Sequence, residues 1–504
     1  MLPGILAWTT LVLMVVLSRF LPTWISFFII LFDIYWLLKT IYLSLHLRVT
    51  FVEIKKNLKI DWLTRLSTLE AAHAAAARKK WTDVYHLVIL PMYNEPYELV
   101  KESFARLAAV HYPKEKLLVV LGLEARAGAG GGEVGERIEK EFGGVFGKFL
   151  VTVHPDHMPG EIPGKGANES WAAARAKESL IDAAGIAAED VMVSVFDIDT
   201  QVYPEYFSRL TYVFLTAAHP LRSIYQPVPL FNNNIYEAPS LGRVVAFSTT
   251  FWQMIQQSRP ERLTSFSSQS IPLCALIDFG FWDKDIVSED SRVFWQGYLR
   301  YHGDFRVEPL FYPVSMDANV APTFWGTMKN IYKQQRRWGW GCENIPYMLK
   351  GFRADPLIPR AKKRYWTFAV LEGFHSWATN ALMIFALGWL PLFLGGHHFN
   401  TLLLSYSLPS VTRFIIWLSM IGIVSSAILS ILLLPPKISG IRRRDYIVYF
   451  VEWILMPLTL IVFGALPGLE AQTRLMLGGK YRLGFWVTPK TRAGAAVQRD
   501  MIEG

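Results

Sequence analysis

Residues 191–200 read VMVSVFDIDT, and the fold turns on how that run is taken. From Val191 to Phe196 the residues are apolar or small with no helical period, which suits a strand buried on both faces. The run ends in Asp197 and Asp199. Alternate residues of a strand project to one face, so at its frayed end two carboxylates can converge on a hard divalent cation. Chance acids on a turn are the competing reading, and the apolar strand ahead of them favours the site.

Two neighbouring stretches repeat the design. YHLVILPMYNEP (85–96) is a buried strand ending in Asn94 and Glu95, and LLVVLGL (117–123) is another, followed by Glu124. Helical stretches, PYELVKESFARLAAV and NESWAAARAKESLIDAAG, separate the strands. Strand and helix in alternation predict a mostly parallel sheet covered by helices, whose ligands lie beyond the C-terminal strand ends. GAGGG from Gly128 lacks the spacing of a dinucleotide fingerprint and reads as a flexible loop. GEIPGKG from Gly160 is one residue short of a P-loop, and Lys165 is left as a point charge able to meet a phosphate.

Farther along, IVSEDSRVFW holds Glu289 and Asp290. Acids favour the first turn of a helix, so a plain helix start competes with a general base there. Either acid could do the work. QQRRWGWG (334–341) sets arginines beside tryptophans. Arg336 or Arg337 offers a forked donor to a phosphate, Gln334 a hydrogen bond to a hydroxyl, and Trp338 a ring for a sugar. An interface helix with arginines toward lipid headgroups is the rival reading.

The composition supports a membrane setting. Of 504 residues, 52% are hydrophobic and only 18% charged. The apolar residues crowd both ends: GILAWTTLVLMVVLS and FLPTWISFFIILFDIYWLL, then WATNALMIFALGWLPLFLGG, FIIWLSMIGIVSSAILSILLLPP and WILMPLTLIVFGALPGL. A span needs about 20 apolar residues, so the first two form a hairpin through the bilayer. The formal charge of +9 lies in clusters such as Lys362-Lys363-Arg364 and Arg442-Arg443-Arg444 that bracket these runs. That pattern points to a lipid surface and away from nucleic acid. Cys274 and Cys342 supply neither a disulfide framework nor a metal spacing.

PMYNEP, GKGANESWA, FDIDT, SED and QQRRW occur in that order, and together resemble the membrane-embedded family 2 glycosyltransferases of the cellulose and hyaluronan synthase type. The likeness runs from about residue 85 to 345. Near the C-terminus FWVTPK, Phe485 to Lys490, resembles the FxVTxK gating loop of cellulose synthases. The resemblance implies a GT-A α/β domain on the cytosolic face of the plasma membrane, flanked by transmembrane helices. It also implies a nucleotide-sugar donor (a UDP-sugar ahead of a GDP-sugar), Mg2+ or Mn2+, and a glycan or lipid acceptor. Asn94, Glu95, Glu124, Lys165 and Asn168 would then approach the donor, and Asp197 and Asp199 would hold diphosphate and metal. Asp290 would be the base, with Glu289, Gln334, Arg337 and Trp338 at the acceptor and diphosphate end. Phe485, Val487, Thr488 and Lys490 would close over the donor. The pattern departs at LGLEARAG, where relatives carry two aspartates and this chain has only Glu124, and SED replaces TED.

The expected organisation is a hairpin (1–46), a helical linker near the surface (47–83), the catalytic domain (84–325), interface helices with QxxRW (326–366), a C-terminal membrane region (367–470) and a tail with the gating segment (471–504). One conflict stands. Three C-terminal spans would leave FWVTPK on the far side from the active site, so either one run is re-entrant or doubled or the gating reading is wrong. The expected function is inverting transfer of a sugar to a growing polysaccharide. Transfer of a single sugar to a lipid is the alternative, and a sugar-nucleotide-binding scaffold or transporter a minor one.

Overall fold

In the computed structural model, residues 1–73, 79–436 and 442–489 are described. At its centre is a sheet of eight strands in the order β3-β2-β1-β4-β7-β6-β8-β5. The strands are β1 Tyr85–Pro91, β2 Leu117–Glu124, β3 Lys148–His154, β4 Val191–Val195, β5 Gln201–Val202, β6 Ser223–Phe231, β7 Ser270–Pro272 and β8 Arg306–Met316. Strand β1 pairs in parallel with β2 (Val88 opposite Val119) and with β4 (Val88 opposite Ser194). Their polar C-terminal ends therefore emerge along one edge.

Burial explains why these runs are strands. Val88, Leu90, Val119 and Leu121 pack on one face with Phe104 and Phe207, while Leu87, Ile89, Leu118 and Val120 pack on the other with Ala172 and Val293. Successive residues bury on opposite faces, as a central strand requires.

The expectation of a GT-A domain with a mostly parallel sheet is corrected. Strand β7 runs antiparallel between β4 and β6, and β5 runs antiparallel to β8, so the sheet is mixed. It is also irregular, with a register shift between Gln226 and Val228. The sequence hid this because β7 spans only three residues, Ser270–Pro272, too few for a period to show. A second correction concerns GAGGG, which opens the helix Gly128–Phe142 and is not a loop. The stripe Val134, Ile138 and Phe142 carries that helix. A Cβ on Gly135 would meet the Leu123 side chain at 2.8 Å, so the close approach favours glycine.

Among the described residues, four helices are long and apolar enough to cross a membrane: Leu2–Phe20, Pro22–Asn57, Leu403–Leu432 and the run Arg443–Leu477. A fifth candidate is the pair Arg360–Phe385 and Leu387–Leu394, bent by 48°. The second helix runs on to Asn57, well past the expected hairpin end, and Trp62 and Leu66 beyond it are buried in the main core.

The run Arg443–Leu477 touches the helices Ser240–Gln257 and Phe324–Gly339 at three places. Near its start Glu452 pairs with Arg243 of the helix Ser240–Gln257 at 2.8 Å. In its middle Phe463 packs on Met328 and Ile331. Near its end Glu470 pairs with Arg336 at 2.7 Å. The chain beyond, Leu483 and Phe485, packs with Val287 and Trp340. The start of the FWVTPK segment thus lies beside the ends of the helices that carry Glu289, Asp290 and Arg337.

Candidate active site

The site is built where the strand ends of β1, β2 and β4 face three helix termini. Gly164 leads into the helix Lys165–Ala176, which puts Lys165 at its first position. Glu289 and Asp290 open the helix Glu289–Arg300, and Arg337 lies in the last turn of Phe324–Gly339.

Lys165 is the hub. Its ammonium lies 2.8 Å from Asp197 Oδ1, 3.0 Å from Asp290 Oδ2 and 3.3 Å from Glu169 Oε1. Burial works against its charge, but the carboxylates outweigh that and hold its pKa well above the ordinary lysine value. Asp290 is further fixed by Ser265, whose hydroxyl donates to its main-chain carbonyl at 2.5 Å. Burial raises the Asp290 pKa, with Lys165 pulling the other way and Asp197 adding to the rise. Burial, and then the charge of Asp290, push Glu289 up to about 8. The pair therefore differs in role as well as position: near neutrality Glu289 holds a proton, while Asp290 is steadied by an ammonium.

The two aspartates of DIDT diverge. Asp197 lines the cleft and accepts from the Ser267 hydroxyl at 2.9 Å. Asp199 is turned inward, 2% exposed, and its Oδ2 accepts from the Asp317 backbone N–H at 3.0 Å. All-oxygen ligands suit Mg2+ or Mn2+, so the residues fit a hard cation on the Asp197 side of the cleft. Glu169, Glu289 and Asp290 also bring oxygens within 4.8 Å of one another, but the Lys165 ammonium contacts two of these acids.

The other expected residues sort as follows. Asn94 is exposed, and Glu95 accepts from the Tyr93 backbone N–H at 2.8 Å. Glu124 and Arg126 pair at one wall of a cavity of about 300 Å³, which His154 and Glu161 also line. Asn168 is fully buried and donates to the Gly122 carbonyl at 2.8 Å, a tie that fastens its helix to β2. The arginines of QQRRW separate: Arg336 pairs with Glu470, while the positive charge of Arg337 acts on Glu289 and Asp290. Gln334 is half-buried, and Trp338 lies with its ring 6.1 Å from that of Phe231.

The C-terminal segment reaches this site. Phe485 lies 5.1 Å beneath the Arg337 guanidinium and packs so closely on Gly164 that a Cβ there would sit 2.6 Å from its ring. Val487 is half-buried, Thr488 has a buried hydroxyl without a hydrogen-bond partner, and Lys490 lies outside the described residues. Arg337 Nε, Glu289 Oε2 and both Glu169 oxygens are likewise buried without hydrogen bonds. Such groups are costly unless a ligand meets them.

Sequence reasoning missed Glu169, Ser267 and the His154–Glu161 pair. Glu169 sits in an alanine-rich helix where an acid reads as solvent-facing. Its spacing of four from Lys165 was the available signal.

No protein-family model and no curated protein matches the chain. Solved structures do. The mannosyltransferase PcManGT from Pyrobaculum calidifontis, in complex with GDP-Man and Mn2+, is 13% identical over 82% of this chain and 99% of its own, with a TM-score of 0.39. TarS 1–349 of S. aureus in complex with UDP-GlcNAc is 13% identical over 79% of this chain and 93% of its own, with a TM-score of 0.38. The assignment to the cellulose and hyaluronan synthase type is corrected: no family model places the chain there. Overlap at these scores leaves the chain's activity to be argued from its own site.

Proposed function

We propose that the chain transfers a sugar from a nucleotide-sugar donor to an acceptor hydroxyl beside the membrane, with its catalytic domain on the cytosolic side. The observation that carries this reading is the Lys165 ammonium bridging Asp197 and Asp290, which joins a phosphate-facing half of the cleft to a base. Asp290 takes the acceptor proton as the acceptor oxygen bonds to the anomeric carbon from one face. The bond from that carbon to the diphosphate oxygen breaks on the other, and its electron pair leaves with the nucleoside diphosphate. Arg337 and Lys165 stabilise the charge that develops there. A divalent cation, when bound by Asp197, neutralises diphosphate charge. The nucleotide extends toward Asn94, Glu95 and Glu124.

The acceptor in this reading is a growing glycan. Aromatic rings suit a sugar path, and Phe374 and Trp377 stack 6.2 Å apart in the helix Arg360–Phe385, with Trp377 over Gly468. Purified protein with Mn2+ and a panel of UDP-, GDP- and ADP-sugars tests the reaction. Asp290→Asn is expected to abolish transfer while donor binding persists, and transfer at the wild-type rate would refute the assignment. Sizing the product separates acceptors: a ladder supports chain growth, and one discrete glycolipid at saturating donor overturns it.

A further inference from the structure

Glu169 belongs to no part of the reaction as written, yet it is the most enclosed acid of the cluster. It is 0% exposed, and neither carboxylate oxygen has a hydrogen-bond partner. Burying a carboxyl in this way is expensive, and burial raises the Glu169 pKa well above the ordinary glutamate value, with Lys165 pulling the other way. Lys165 lies one helical turn before it, at 3.3 Å. The ammonium thus has Asp197 and Asp290 on the cleft side and Glu169 on the protein side. Gly166 keeps the arrangement tight, since a Cβ there would meet the Glu289 side chain at 2.9 Å.

We propose that Glu169 is a positioning residue that holds the Lys165 ammonium midway between Asp197 and Asp290. This rests on the transfer reaction proposed above. Without the Glu169 oxygen behind it, the ammonium keeps its contacts with the two cleft aspartates, at 2.8 and 3.0 Å, but loses the third point that fixes its place between them. Lys165 can then tilt toward either aspartate and off the position from which it meets a departing diphosphate. Glu169 touches neither donor nor acceptor, so its removal changes turnover more than donor affinity. Shortening the side chain keeps a carboxyl one turn after Lys165, and part of the effect returns.

The test uses the full chain in detergent or vesicles with Mn2+ and whichever donor the wild type turns over. Glu169→Gln is expected to lower kcat at least tenfold with donor KM changed less than threefold, and Glu169→Asp to recover part of kcat. Lys165→Met and Glu169→Gln are expected to be non-additive in kcat, because once the ammonium is gone its positioning residue has nothing to hold. Wild-type turnover with Glu169→Gln at the same kcat, or with KM and kcat falling together, overturns the proposal and leaves the transfer reading intact. If the wild type turns over no donor, the transfer reading fails. The melting temperatures of the wild type, Lys165→Met, Glu169→Gln and their double variant then decide the contact: non-additive shifts uphold the Lys165–Glu169 tether, and additive ones refute it.

Discussion

Removing the Arg243 side chain should do more damage than any other single truncation at the junction of the catalytic domain and the C-terminal run. Its Nε donates to both Glu452 oxygens, at 2.9 and 3.1 Å, and a second guanidinium nitrogen donates to Oε2 at 2.8 Å. Further bonds go to the Ala238 carbonyl and the Ser240 hydroxyl, and the guanidinium stacks over Tyr449. Both side chains are enclosed, 11% and 5% exposed, so bulk water screens the pair little. Arg243→Ala leaves the Glu452 charge buried without an answer, which costs about 3–5 kcal/mol. For a domain of this size each kcal/mol lowers the melting temperature by roughly 2–4 °C, so a fall of roughly 6–20 °C is expected. Intrinsic tryptophan fluorescence on heating in a mild detergent reads it, because Trp453 lies buried next to Glu452. The double substitution Arg243→Met with Glu452→Met should recover most of the loss, since no lone charge remains. A single-variant cost under about 1 kcal/mol, the range of an exposed pair, would refute the reasoning.

Two further expectations follow from the cleft. Because burial raises the Asp290 pKa above 3.8, the acid limb of kcat/KM should lie above the ordinary aspartate range; activity is present above that limb and lost as pH falls through it. A pH–rate profile with its limb at or below 3.8 contradicts the environment described here. Gly164→Ala places a Cβ 2.6 Å from the Phe485 ring, and the easiest relief is release of the C-terminal segment. Limited proteolysis should then cut within residues 483–489 several-fold faster, with little change in melting temperature, whereas unchanged cleavage would mean the contact does not hold the segment.

The parts legible in the sequence were those where one strong period or one local motif decides the matter. Strands β1, β2 and β4 declared themselves by unbroken apolar runs, and their polar ends did fall on one edge. Asp197 and Asp290 do meet, through Lys165, although 93 residues separate the two aspartates. What stayed hidden depends on partners distant in the chain. Nothing local tells that Asp199 turns inward onto the Asp317 backbone, or that Arg336 faces Glu470 while its neighbour Arg337 faces the acids. Strand β7 was too short to show a pattern. A helix such as Arg443–Leu477 has the same composition whether it lies in lipid or along a protein face.

The Arg243–Glu452 pair also sets a clock on synthesis. Its partners are 209 residues apart in the chain. At roughly 5–20 residues per second, the guanidinium leaves the ribosome some 10–40 s before its carboxylate is made. For that interval the helix Ser240–Gln257 has an uncovered apolar face and a cation with no counter-ion, and Phe485 has yet to reach Gly164. The nascent domain can fold its sheet early, but it waits for residues 452–485 to close both its underside and its cleft. A ribosome stalled before residue 452 would therefore display an adhesive, unfinished protein, a natural substrate for chaperones and membrane quality control.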